Sequence, residues 1–445
     1  MKNIVYKWFK TNSVMFMNAG SLVGTTAVTS MLGFVYWWAA ARLFPPETIG
    51  FASATIAAMT LLGSICILGL GTLLIGELQR HPGKEMSLIT AALLLVGAVG
   101  AVAGILFTLI APFLSADFRS LSASLHNSLL FAAGVCLSAI TVVLDQALIG
   151  LLRGAWQFWR NMLFAVIKLV ALLGAALWLS HAVGLAIYNT WTLGNLLSLG
   201  VLAVFALSKR GWSHKKYLPH WGLLRELKAA ALQHHILNMI IQAPALALPI
   251  CVTAFLSTTA NAWFYIAWMI TSFLAVASLA LSTVLYAESA AQPAKLAHKI
   301  RLTLSVAFVI CVLANCVLQL SAKQVLGVFG HTYAEQASST LRILSLAVFP
   351  SIIKNHFITV CRIQKRLVQT MLPLLACGML ELSFVFIGVH LGGLPGLSLG
   401  YVIALVIEAI CMSGTVYKTT RLTQPSTPEV AQHTQDAVGR KQCAS

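Results

Sequence analysis

Ser208-Lys209-Arg210-Gly211-Trp212-Ser213-His214-Lys215-Lys216-Tyr217-Leu218-Pro219-His220-Trp221-Gly222 is the most basic stretch of this chain, and it stands near the middle of the 445 residues. On either side the sequence turns apolar: 59% of residues are hydrophobic, only 9% are charged, and the mean hydropathy is +0.86. The apolar runs are about 17–27 residues long, enough for each to cross a hydrocarbon core of about 30 Å as a helix. They fall at about 14–38, 51–76, 88–114, 128–152, 163–180, 184–207, 230–256, 262–287, 302–320, 341–361, 370–390 and 395–416. Six precede the basic stretch and six follow it, so the chain reads as an all-α, polytopic membrane protein in two halves.

The cations orient these spans. With the N-terminus cytoplasmic, 23 of the 29 Lys and Arg fall in inside segments, and only Arg42, Arg119, Lys323 and Arg342 fall outside. This is the positive-inside pattern, and it places both termini in the cytoplasm. The net charge of +17 is therefore a topology signal with anionic membrane lipids as neighbours, not a nucleic-acid footprint. Lys2, Lys7 and Lys10 ahead of an apolar run resemble a secretion signal, but that run is longer than an h-region and ends in Trp37-Trp38. It is read as a retained first span with an interfacial aromatic anchor.

Other functions are disfavoured by what the sequence lacks. The outside loops are short, the longest being about 321–340, which leaves no room for a catalytic domain there. Eight cysteines lie in spans and Cys443 lies in the tail, a distribution that suits neither a disulfide framework nor a metal site. No Walker loop, GxSxG or HExxH motif is present. The expectation is a non-enzymatic protein without cofactor or metal.

Because six is even, both halves enter the membrane in the same sense, as parallel repeats. The divisions are an N-lobe at 1–207, a basic linker at 208–229, a C-lobe at 230–418 and a disordered cytoplasmic tail at 419–445. Three internal matches support duplication. Leu70–Glu77 resembles Leu281–Glu288 at an offset of 211, Leu152-Arg153 resembles Cys361-Arg362 at 209, and Ser21, Thr25 and Thr29 correspond to His234, Asn238 and Gln242 at 213.

Polar groups inside a span must face protein or water, so they locate the interior. His234, Asn238 and Gln242 repeat every four residues along one face of span 7, with Gln233 and His235 beside them. Pro244 and Pro249 follow, and they predict a kink or partial unwinding. This suits a cavity wall better than ordinary interhelical hydrogen bonding. In span 1, Asn18, Ser21, Thr25 and Thr29 accompany Gly20 and Gly24, a small-residue packing face; Gly392, Gly396 and Gly400 form another.

The intramembrane charges are Asp145, Lys168, Lys354, Glu381 and Glu408. Two readings stand for Asp145: a salt bridge to Lys168 at comparable depth, or an inter-lobe latch with Lys354, which occupies the matching position at the 209 offset. Glu381 and Glu408 are candidates for proton or cation coupling, with structural hydrogen bonding by a protonated carboxyl as the alternative. Arg153 and Arg160, interleaved with Trp156, Phe158 and Trp159, form a segment that anchors at the head groups or holds a lipid phosphate; anchoring is the commoner role.

The runs Asn18–Thr26 and Ala40–Ala52, with Asp145-Gln146, Gly150–Gly154, Arg160-Asn161 and Lys168, resemble the Wzx-like polysaccharide and O-antigen flippases of the multidrug/oligosaccharidyl-lipid/polysaccharide superfamily, which includes the MATE exporters. The resemblance covers nearly the whole chain. It implies a bacterial inner-membrane flippase for an undecaprenyl-pyrophosphate-linked oligosaccharide, working by alternating access around a cavity between lobes. It further implies a polysaccharide polymerase and chain-length machinery as partners. Arg42, Arg153, Lys168 and Lys354 are then candidates for the pyrophosphate, and His234, Asn238 and Gln242 for the sugars. The alternative is a MATE-like cation-coupled drug exporter. Span 1 lacks the intramembrane acid that such exchangers commonly carry in the first lobe, which counts against it, although Asp145 could substitute. A membrane-embedded glycan polymerase or ligase would require a larger outer loop than any found here.

Overall fold

The structure is a computed structural model that describes residues 13–178, 184–210, 218–291, 296–364 and 366–421. Within that range a further set of side chains, among them those of Asn18, Ser21, Gln233 and His234, lies outside the described residues, as do residues 211–217 of the linker and the tail beyond Arg421.

The described residues are almost entirely helical, with no strand among them. The first half comprises α1 (Ser13–Leu43), α2 (Pro46–Cys66), α3 (Leu70–Glu77), α4 (Glu85–Leu114), α5 (Arg119–Ser122), α6 (Leu125–Gly150), α7 (Gly154–Trp178) and α8 (Gly184–Arg210). The second comprises α9 (Trp221–Glu226), α10 (Lys228–Phe255), α11 (Thr258–Ala291), α12 (Leu296–Gly327), α13 (His331–Gln336), α14 (Ser338–Ser345), α15 (Val348–Ile363) and α16 (Leu367–Arg421). Among the described residues ten helical segments are long and apolar enough to cross a membrane. The last of them, within α16, folds back on itself, so it supplies two crossings; α1 is a further long helix of 31 residues.

The reversal in α16 lies at Gly392 and Gly393. Gly393 has φ 56°, left-handed backbone that glycine adopts without strain. The two arms then pack glycine to glycine: a Cβ on Gly388 or Gly396 would strike the other's carbonyl, and one on Gly400 would strike the Phe384 carbonyl. Gly396 and Gly400 thus serve as packing glycines, while Gly392 makes the turn.

Other boundaries depart from the sequence reading. Span 2 is broken at Leu68 and Gly69, both left-handed at φ 52° and 73°, which separates α2 from α3. The bare Gly69 backbone there admits the Ala231 carbonyl of α10, leaving no room for a side chain. By contrast α10 does not unwind: it runs unbroken through Pro244 and Pro249. Span 5 begins nine residues earlier than expected, because α7 starts at Gly154 and takes in the whole aromatic-basic segment.

The described residues up to Ile270, with Ser321–Leu344 and Met371–Tyr401, form one compact unit; Thr271–Leu320, Ser345–Thr370 and the described residues from Val402 form a second. In the first, α4 and α6 approach closely because Gly97, Gly100 and Gly104 line one face. A Cβ on Gly104 would come within 2.5 Å of the Ala132 Cα. Leu88, Ala92, Val96, Ala139 and Val143 fill the seam, and Leu223 and Leu224 of α9 close its end. The Ser87 hydroxyl donates to the Leu218 carbonyl, fixing the chain within the linker. In the second unit, Ala307 and Cys311 of α12 pack on Val348 and Ile352 of α15, with Leu274 and Leu281 of α11 alongside.

Candidate functional site

The junction of α6 and α7 decides where the first-half charges go. α6 ends with Leu152 left-handed at φ 58°, and the Arg153 N–H reaches back to the Leu148 carbonyl at 2.8 Å. α7 then starts at Gly154, which puts Arg160 in its second turn, about 9 Å along the axis. Asp145 lies about 8 Å from the other side of the same junction. The two meet: Arg160 Nη2 donates to Asp145 Oδ2 at 2.6 Å, and the Asn161 amide donates to the same oxygen at 2.9 Å while its carbonyl oxygen accepts from Arg160. Arg160 is 5% exposed.

Asp145 is therefore closed by Arg160 and Asn161, in place of the expected pair with Lys168. The reason is depth. Lys168 lies about 21 Å along α7, far from the level of Asp145. The proposed correspondence with Lys354 also weakens. The chain end of α15 closes as α6 does, with Arg366 N–H donating to the Cys361 carbonyl at 2.9 Å. Aligning these two bonds gives an offset of 213, at which Asp145 corresponds to Ile358.

Lys168 is 5% exposed and sits in an aromatic cage. Its ammonium lies 3.9 Å from the Trp191 ring centroid, 4.8 Å from Phe164 and 5.0 Å from Tyr36. Three faces of π density partly replace the lost hydration. Tyr36, from α1, is itself fixed: its hydroxyl bonds to Thr190 at 2.7 Å and to the Ile187 carbonyl at 3.2 Å. Among the described residues no carboxylate pairs with Lys168. The sequence offered one signal for this cage, the four-residue spacing of Phe164 and Lys168 on one helical face. Tyr36 was hidden in an apparent interfacial belt, but Tyr36 and Trp37 are buried and only Trp38 is exposed.

In the second unit, Lys354 Nζ lies 2.9 Å from Glu408 Oε2, with the Glu408 side chain 1% exposed. The two residues after Lys354 make further polar bridges: Asn355 to Ser278 at 3.3 Å, and the fully buried His356 to Thr303 at 3.1 Å and to the Ile352 carbonyl. Glu381, in the first unit, is buried in the first arm of α16.

The remaining candidates have mixed settings. Asn238 of α10 reaches Thr72 of α3 at 3.4 Å, Gln242 is exposed, and the His234 side chain lies outside the described residues. Arg42 does not stand free for a ligand. Its Nε donates to the Val328 carbonyl at 2.8 Å and its Nη2 to Gly327 at 3.3 Å, while Trp38 Nε1 donates to Val328 at 3.1 Å. Arg153 lies over the Trp156 ring, 5.0 Å from its centroid.

The model of one protein family, described as "Polysaccharide biosynthesis protein", matches residues 15–286, well over half of the chain. The chain belongs to that family. A comparison with curated protein sequences gives no match. Among solved structures the fold is similar to an inward-facing multidrug resistance MATE family transporter of the MOP superfamily. That match has a TM-score of 0.71 at 17% identity, covering 90% of this chain and 96% of the other. It is similar as well to the lipid II flippase MurJ in an inward closed conformation, with a TM-score of 0.69 at 11% identity, covering 88% and 86%. A third, a MOP superfamily transporter from Pyrococcus furiosus described by the reverse polarity of its binding pocket, has a TM-score of 0.58 at 14% identity, covering 93% and 95%. The fold of this family member is thus MATE-like, with multiple membrane-spanning helices.

Proposed function

We propose that this protein is a flippase that moves an undecaprenyl-pyrophosphate-linked oligosaccharide across the bacterial inner membrane by alternating access, for surface polysaccharide or O-antigen synthesis. The observation that carries this beyond family membership is the charge inside the first six spans. Asp145 is neutralised by Arg160, while the Lys168 amino group has no carboxylate against it among the described residues and, when protonated, is an uncompensated positive charge. In a low-dielectric interior such a charge acts over a long distance. It favours an approaching pyrophosphate and repels the organic cations that a drug exporter would carry. The cage holds the ammonium in place, so its contribution is an attractive field, with direct contact only after the side chain leaves the rings.

In this reading both termini are cytoplasmic, the halves 1–207 and 230–418 act as lobes, and the linker 208–229 joins them. Lys354 with Glu408, and Glu381, are the candidates for coupling in the second half. Polysaccharide polymerase and chain-length proteins are the expected partners.

The test is complementation of a strain lacking its own O-antigen flippase. Return of surface glycan with the wild-type chain, and its loss with Lys168→Met, is the expected result. A chain that restores no glycan but lowers the accumulation of a cationic dye is an exporter.

A further inference from the structure

Two apolar clefts of similar size open on the first unit at the α6–α7 junction. One, of about 420 Å³, lies between α7 and α8 and is walled by Trp159, Leu163, Val201 and Phe205. The other, of about 350 Å³, lies among α4, α6 and α8 and is walled by Ile89, Leu93, Leu144 and Ala203. Trp156 and Leu202 line both, so one indole forms the partition between them. Trp156 is held there edge to face against Phe205, with ring centroids 5.0 Å apart, and the Arg153 guanidinium lies over its ring and lines the second cleft.

Each cleft is the size and chemistry for a hydrocarbon chain. An apolar cavity of about 150 Å³ admits benzene, so these take a longer alkyl segment each. Polar lining is sparse. In the second cleft Thr90 already donates to the Met86 carbonyl, and in the first Arg160 Nη2 is engaged by Asp145 while its Nε and Nη1 are buried without a hydrogen-bond partner. The clefts lie at the helix ends whose flanking segments carry Lys84, Arg153, Lys209 and Arg210. Two chain-sized clefts parted by one aromatic ring, beneath a guanidinium, match a lipid with two acyl chains and a negative head.

We propose that this junction is a binding site for an anionic diacyl phospholipid, one chain on each side of Trp156 and the phosphate against Arg153. Arginine suits the phosphate through its forked donors, and a tryptophan at the head-group level suits the boundary between chain and phosphate. The site lies apart from Lys168 and does not depend on what the protein transports.

The test is native mass spectrometry of the full-length protein in a mild detergent, offered equimolar phosphatidylglycerol and phosphatidylethanolamine with identical chains. The expected result is retention of one diacyl lipid per chain, with phosphatidylglycerol preferred about fivefold, the scale for one basic side chain at a membrane surface. Arg153→Gln brings the ratio near one and Arg153→Lys keeps most of it. Ala203→Trp, which fills the second cleft, lowers retention of both lipids. Equal retention by the wild type, an unchanged ratio in Arg153→Gln, or preferential retention of a single-chain polyprenyl phosphate overturns the proposal. The Arg153 pair decides the matter even if Ala203→Trp does not elute as a single species.

Discussion

Arg160 and Asp145 lie fifteen residues apart in sequence and 2.6 Å apart in space, joined across the left-handed turn that separates α6 from α7. Removing one member of a buried ion pair strands the other, at a cost of about 3 kcal/mol. Arg160→Gln is therefore expected to lower the thermal unfolding temperature of the detergent-purified protein clearly. Adding Asp145→Asn to it removes the stranded carboxylate and recovers part of the loss. If the double variant unfolds below the single one, the pair is not the source of the effect.

For the second unit, the contact between Lys354 and Glu408 predicts a reciprocal rescue. Lys354→Glu or Glu408→Lys alone is expected to impair surface glycan export in the complementation assay, and the two together to restore most of it. Exchanging the charges of Asp145 and Lys354 is expected to restore nothing, since each belongs to a different pair.

Lys168 separates stability from function. Burying an ammonium without a counter-ion costs desolvation energy that its cage only partly offsets. Lys168→Met fills the same volume without charge, so the purified variant is expected to unfold at the same temperature as the wild type or higher. Its glycan export is nevertheless expected to fall about tenfold or more, which corresponds to about 1.4 kcal/mol in an equilibrium or barrier. Wild-type export by this variant would remove Lys168 from the mechanism.

Gly50 and Gly174 make a matched pair. The α2 backbone at Gly50 lies against Thr258 of α11, and Asn261 donates to the Gly50 carbonyl at 2.8 Å, so a methyl at Gly50 collides with main chain. Gly174 of α7 has nothing within 4 Å of a new Cβ. Gly50→Ala is expected to destabilise by about 1–3 kcal/mol, and Gly174→Ala to be neutral or slightly stabilising through helix propensity. Unfolding temperatures of the two variants, measured side by side, check this.

The membrane crossings were legible because an apolar run of span length has few alternatives, and α4, α6 and α8 begin and end close to where their sequences change character. What escaped was the first turns of α7. Gly154–Asn161 mixes arginine, glutamine and tryptophan, which reads as a surface segment until its inner face is known. That shift of one boundary by nine residues moved Lys168 to a different depth from Asp145 and hid the Arg160 partner. The break at Leu68 and Gly69 was equally silent, because leucine carries no turn signal and the left-handed backbone answers to the close approach of Ala231. For the cage around Lys168 the sequence offers only the Phe164 contact, since Tyr36 and Trp191 arrive from two other helices.

The contact of Trp38 and Arg42 with residues 327 and 328 has an evolutionary corollary. All three donors end on main-chain carbonyls, which every residue type supplies. Selection on this contact therefore acts on one partner only. Among homologues, positions 38 and 42 are expected to hold their donors while the side chain at position 328 drifts freely, a one-sided constraint that pairwise covariation would fail to register.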